Sequence, residues 1–137
     1  MDLAGFRAQG GAVNTRDKIV AADAAAERLK NLAKPDARIV VAFGRFDLLS
    51  REMVRQLESA RENNVVLVAA VDPRSDSDVL LPAEARAQLI AGVASVDLVV
   101  IAEARELGQI LPSAEKLEVK SDLAPRLLAR FRGAPRA

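Results

Sequence analysis

A parallel α/β fold, one sheet with helices on both faces, is predicted by three features of this 137-residue chain. Short apolar, β-branched runs recur along it, separated by segments whose apolar side chains have helical spacing. The junctions between them are rich in Gly, Pro, Asn and Asp, which favour turns. Strand–helix alternation at this spacing gives right-handed βαβ units and a Rossmann-like parallel sheet. About four strands are expected, in the order 3-2-1-4 when numbered along the chain.

Residues 1–17 carry Gly5, Gly10, Gly11 and Asn14 with little periodicity and are read as a flexible arm. The α/β domain is expected over 18–132, with a flexible tail at 133–137. Lys18-Ile19-Val20 is a brief extended piece. An Ala-rich helix follows over 22–33, with Asp23 early, Lys30 and Lys34 late, and Pro35 beyond its end. The first strand, 39–43, stops at Gly44, and a helix over 50–62 sets Met53, Leu57 and Ala60 on one face. Asn63-Asn64 turns into Val65–Val71, the clearest strand, and 72–78 is a polar loop.

Pro82 suits a first helical turn, and 84–93 has helical spacing at Ala85, Leu89 and Val93. A third strand is expected at 97–101 and a short helix at 104–111, closed by Pro112. An edge-like fourth strand at 116–120 and a last helix at 123–131 complete the domain.

Composition narrows the chemistry. Half the residues are hydrophobic and 28% are charged, which suits a globular domain with a substantial core. The net charge of +1 gives no reason to expect bulk binding to nucleic acid or to an anionic membrane. Four Phe, with no Tyr or Trp, leave few stacking platforms for single strands. With no Cys and no His, disulfides, thiolate or imidazole metal sites, cysteine nucleophiles and Ser-His-Asp catalysis are excluded. The start shows no secretory pattern, and Val65–Val71 is far short of the roughly 18 apolar residues of a membrane span. A cytoplasmic location is expected.

The chain is organised around 38–53, where a buried strand passes through a glycine turn into a helix. That arrangement sets a helix N-terminus at the strand's carboxyl end, the place where open α/β sheets bind ligands and where phosphates are favoured.

Gly44-Arg45-Phe46-Asp47-Leu48-Leu49 resembles the G-x-F-D-x-x segment of the cytidylyltransferase-like nucleotidyltransferases, in the branch of heptose-phosphate adenylyltransferases and glycerol-phosphate cytidylyltransferases. The likeness can be followed from about Lys18 to Lys120. Val68-Ala69-Ala70-Val71-Asp72 is similar to that family's second strand with its polar end near the nucleotide. Pro82-Ala83-Glu84-Ala85-Arg86 resembles the segment that places an arginine toward the nucleotide, ahead of Val96-Asp97-Leu98-Val99-Val100. Val119-Lys120-Ser121-Asp122 resembles V-K-G-x-D without its glycine, and the later I-S-S-T-type segment has no counterpart. In that family H-x-G-H follows the first motif. Here the four positions are Ser50, Arg51, Glu52 and Met53.

By this resemblance the nucleotide-binding candidates are Phe43, Gly44, Arg45, Phe46, Asp47, Ser50, Arg51, Asp72, Arg86 and Lys120, and Ser50 and Met53 occupy the degraded catalytic positions. The family's reaction, displacement of pyrophosphate from a nucleoside triphosphate by a substrate phosphate, rests on positioning and charge stabilisation. Ser50 offers a neutral donor, Met53 none, and Glu52 adds an anion. Losing one such donor costs on the order of a hundredfold in rate. The expected function is therefore a non-catalytic nucleotide-binding or protein-interaction module. The alternatives are a transferase using Arg45, Arg51 and Arg86 on a phosphorylated sugar or polyol, and an assembly subunit with an empty crevice.

Each residue also has a plain structural reading. Ser50 suits a helix N-cap, Arg51 and Glu52 a solvated first turn, and Met53 core filler. Asp47 could hold the loop or bind a cation in a site, or cap the Gly44 turn through its side chain. Asp72, Asp76 and Asp78 lack the pattern of a calcium loop and fit a solvated turn. Arg126, Arg130, Arg132 and Arg136 fit a solvated helix face and end. No metal is expected, with Mg2+ entering only alongside a nucleoside triphosphate. A homodimer is expected, and neither nucleic acid nor membrane as partner.

Overall fold

The computed structural model describes residues 14–74, 79–119 and Arg130. A 3-10 turn, Thr15–Lys18, leads into strand β1 (Ile19–Val20) and helix α1 (Ala22–Leu32). Strand β2 (Arg38–Gly44), helix α2 (Arg51–Ala60), strand β3 (Val65–Val71) and helix α3 (Ala83–Ala91) follow. Strand β4 (Leu98–Ile101), helix α4 (Ala104–Ile110) and strand β5 (Glu115–Glu118) complete the described elements. The turn at residue 15 means that regular structure begins inside the stretch expected to be an arm. Asn14 starts it, its side chain accepting the Arg16 N–H at 3.0 Å. The expected arm over 1–13, the last helix at 123–131 and the tail lie outside the described residues, Arg130 excepted.

All five strands are parallel and lie in the order β1-β4-β3-β2-β5. This corrects the expected four-stranded 3-2-1-4 sheet. The brief extended piece at Ile19–Val20 joins as a further edge strand, pairing Ile19 with Val99 and Val20 with Val100. Two residues are too few for periodicity to distinguish a strand from an extended link, so only the pairing with β4 decides it.

The centre of the sheet is β3, buried at all seven positions. Its side chains alternate between two cores, as the two-residue strand repeat requires. Val65, Leu67, Ala69 and Val71 join Met53 and Leu57 of α2 and Ala87, Ile90 and Ala91 of α3 on one face. Val66, Val68 and Ala70 join Ala25 and Leu29 of α1 and Leu107 of α4 on the other. A strand with helices on both faces has no solvated side, which is why its sequence reads as an unbroken apolar run. Burying a side chain such as Leu57 or Leu67 contributes about 1.5–3 kcal/mol.

The amino-terminal end of the sheet is tied by polar contacts. Asp97 accepts the Leu67 N–H at 2.9 Å and pairs with Arg61 at 3.0 Å, and Arg61 also donates to the Val65 carbonyl at 2.7 Å. Lys18 donates to the Val93 carbonyl at 3.1 Å, and partial burial lowers its pKa against the opposing pull of Asp97. Among the described residues no helix is long and apolar enough to cross a membrane.

Candidate functional site

The sheet reverses its direction of winding between β2 and β5, so the candidate site is sought beyond the carboxyl ends of those strands. Gly44 ends β2 there, and the Val119 N–H donates to the Phe43 carbonyl at 2.8 Å. A Cβ on Gly44 would lie 2.9 Å from the Val119 carbonyl oxygen and 3.3 Å from the Phe46 ring. Gly44 is thus demanded by close packing. Phe46 is 1% exposed and takes φ = 52°, a left-handed conformation uncommon outside glycine. Its ring and the Val119 backbone fill the space beside Gly44. Phe43, half-buried, packs against the core on the α1–α4 face.

Asp47 follows in the same loop and is 5% exposed. Its carboxylate accepts the N–H groups of Leu80 and Leu81, the latter at 2.8 Å. It therefore holds the segment entering α3, a tie between residues distant in the chain.

Ser50 caps α2. Its Oγ accepts the Met53 N–H at 3.1 Å, and the Val54 N–H donates to its carbonyl at 3.0 Å. Met53 is buried in the α2–α3 core at 3% exposure. Arg51 and Glu52 are exposed on the first turn of α2. A carboxylate at that place favours the helix dipole and repels an approaching anion.

Arg86 sits on α3 and is fully buried. Its Nε donates to the Leu81 carbonyl at 2.9 Å. Nη1 donates to the carbonyls of Arg45 at 2.9 Å and Asp72 at 2.7 Å, and Nη2 to that of Arg74 at 2.8 Å. A buried guanidinium is tolerable only with such hydrogen bonding, and here backbone oxygens supply it. One side chain thus joins the loop after β2, the loop after β3 and the start of α3. The Asp72 N–H, donating to the Gly44 carbonyl at 2.9 Å, adds a direct tie between the first two.

The Asp72 carboxylate accepts the Arg74 backbone N–H at 3.0 Å and its guanidinium at 2.6 Å. The hydrogen bonds from the Arg74 side chain, with the nearby charge of Arg45, hold this carboxyl below its ordinary pKa against the cost of burial. Arg74 was absent from the sequence-derived site. Its signal was the Asp-Pro-Arg triplet, which favours an Asx turn two residues on. Lys120 lies outside the described residues. Among the described residues no group of three or more acidic, His or Cys side chains could hold a metal ion.

The structure thus brings Gly44, Arg45, Phe46, Asp47, Asp72 and Arg86 together at one end of the sheet, with Ser50 and Arg51 at the adjoining helix start. No family model matches the chain, and no curated protein matches it significantly. The resemblance to cytidylyltransferase-like enzymes accordingly rests on the motif residues named above.

Proposed function

We propose that this chain is a nucleotidyltransferase-like α/β domain without turnover, a non-catalytic module that binds a nucleotide or a protein partner. One observation carries the reading: of the two positions of the H-x-G-H histidines, one holds a neutral helix cap and the other a buried core side chain. Ser50 Oγ is engaged with the Met53 N–H at 3.1 Å, and the Met53 side chain lies in the core. A thioether buried under a helix has no means of stabilising charge on a departing pyrophosphate.

Arg86 adds support. The resemblance implies a nucleotide-facing role for it, whereas its guanidinium donates to four backbone carbonyls. This weakens the reading of a transferase that replaces histidines by Arg45, Arg51 and Arg86. The remaining proposals, a homodimer and a cytoplasmic location, are independent of the site.

Pyrophosphate release from nucleoside triphosphates with Mg2+ and sugar or polyol phosphates tests the absence of turnover. The expected result is no release above background, and turnover at an ordinary enzymatic rate overturns the reading. Thermal shift with the same nucleotides then separates a nucleotide-binding module, which is stabilised, from one that serves a protein partner, which is not.

A further inference from the structure

A buried polar arrangement surrounds Arg86. The carbonyl oxygens of Arg45, Asp72, Arg74 and Leu81 converge on one guanidinium at 2.7–2.9 Å. Arg45 belongs to the loop after β2, and Asp72, Arg74 and Leu81 to the start and the end of the connection from β3 to α3. Carbonyl oxygens from separate loops turned toward one centre form the kind of oxygen cage that proteins otherwise present to a bound cation. Asp47 steadies the same segment, since it holds the Leu81 N–H while Arg86 holds the Leu81 carbonyl.

We propose that the loops at the carboxyl end of the sheet fold around an internal cation site that Arg86 fills in cis, and that this cage accepts a free guanidinium-type cation when the side chain is removed. The chemistry selects the ligand. A guanidinium is planar, permanently charged and presents a rigid fork of five donors, enough for the four carbonyl oxygens it meets here. An ammonium is compact and pyramidal and carries three donors, so it cannot serve the same four oxygens. The loops therefore hold their places with no ligand from outside. This inference does not depend on whether the domain turns over a nucleotide, and its test reads neither nucleotide binding nor pyrophosphate release.

The test uses Arg86→Ala and Arg86→Lys in the full chain. Thermal unfolding of Arg86→Ala is followed with millimolar methylguanidinium chloride, and separately with methylammonium chloride at equal ionic strength. The expected result is a saturable rise in Tm with methylguanidinium alone, absent in the unsubstituted protein. Equal action of the two cations, or an equal rise in the unsubstituted protein, overturns the proposal.

Should Arg86→Ala fail to fold under all these conditions, Arg86→Lys decides by amide exchange. The N–H groups of Asp72, Leu80 and Leu81 are expected to exchange about a hundredfold faster, while those of α1 and α4 across the sheet stay protected. Uniform acceleration everywhere, or no acceleration at the three loop amides, overturns it.

Discussion

Asp47 and Arg86 grip the two polar groups of Leu81. The Asp47 carboxylate accepts its N–H at 2.8 Å, and Arg86 Nε donates to its carbonyl at 2.9 Å. Two buried side chains of opposite charge thereby stabilise each other through a third residue's backbone. Removing the carboxylate by Asp47→Ala leaves N–H groups without their acceptor in a largely dry place. The expected loss is about 1–3 kcal/mol, with Asp47→Asn costing less because one oxygen remains. Denaturant unfolding of the two variants checks the size and the order.

Ser50 and Met53, at the N-cap and in the first turn of α2, stabilise the helix in different ways. Ser50→Ala removes the cap on α2 and should cost about 1 kcal/mol, while Ser50→Asp retains it. Met53→His, which restores a donor to the enzyme motif, places an imidazole where the core is dry and is expected to destabilise by about 2 kcal/mol. Equilibrium unfolding measures both. A Met53→His variant as stable as the original would mean that the side chain reaches solvent.

Phe46 carries two effects of opposite sign. Leaving the left-handed conformation to glycine relieves about 1–2 kcal/mol, but loss of the buried ring costs about 3–5 kcal/mol. Packing wins, so Phe46→Gly is expected to be less stable by about 2–3 kcal/mol. Gly44→Ala should also destabilise, because the new Cβ meets a backbone oxygen at 2.9 Å and backbone cannot rotate aside. Calorimetric Tm values of the two variants test this.

Acid should weaken the fold through two carboxylates. Hydrogen bonds from Arg74 hold Asp72 below its ordinary pKa of 3.8, and hydrogen bonds from Arg38 hold Glu115 below 4.5. A group whose folded pKa is depressed adds stability that is present above its unfolded value and lost as pH falls through the folded one. Arg38, Glu115 and Arg74 are exposed and Asp72 is half-buried, so solvent screening keeps the effect modest. Unfolding followed below roughly pH 4 should show a shallower loss in Asp72→Asn than in the original. An identical slope would mean that Asp72 contributes nothing.

Much of the α/β framework was legible in the sequence, because burial on both faces imposes continuous apolar runs. The strand Val65–Val71 is legible to the residue, and the helices and strands expected between 22 and 120 to within a few residues at each end, whereas the 3-10 turn Thr15–Lys18 has no signal in the sequence. Pro82, expected inside the first turn of α3, instead stands one residue before it as N-cap, where its extended ψ of 161° fits. The Ser50 cap was legible too, since hydroxyls at that offset satisfy a free helix N–H. The role of Arg86 was not. Its acceptors are carbonyls, which every residue carries, so no pattern of side chains announces them.

The alternation of strands and helices, the lack of histidine and cysteine chemistry, and the altered residues after Leu49 follow from the order of residues. These depend on side-chain identity and local spacing alone. The folded chain alone reveals that Ile19–Val20 pairs as a fifth strand, that Phe46 fills the space beside Gly44, and that Arg86 faces the loops' carbonyls. Each of these is set by contacts between segments distant in the chain, where backbone oxygens and volume, and not residue type, choose the partner.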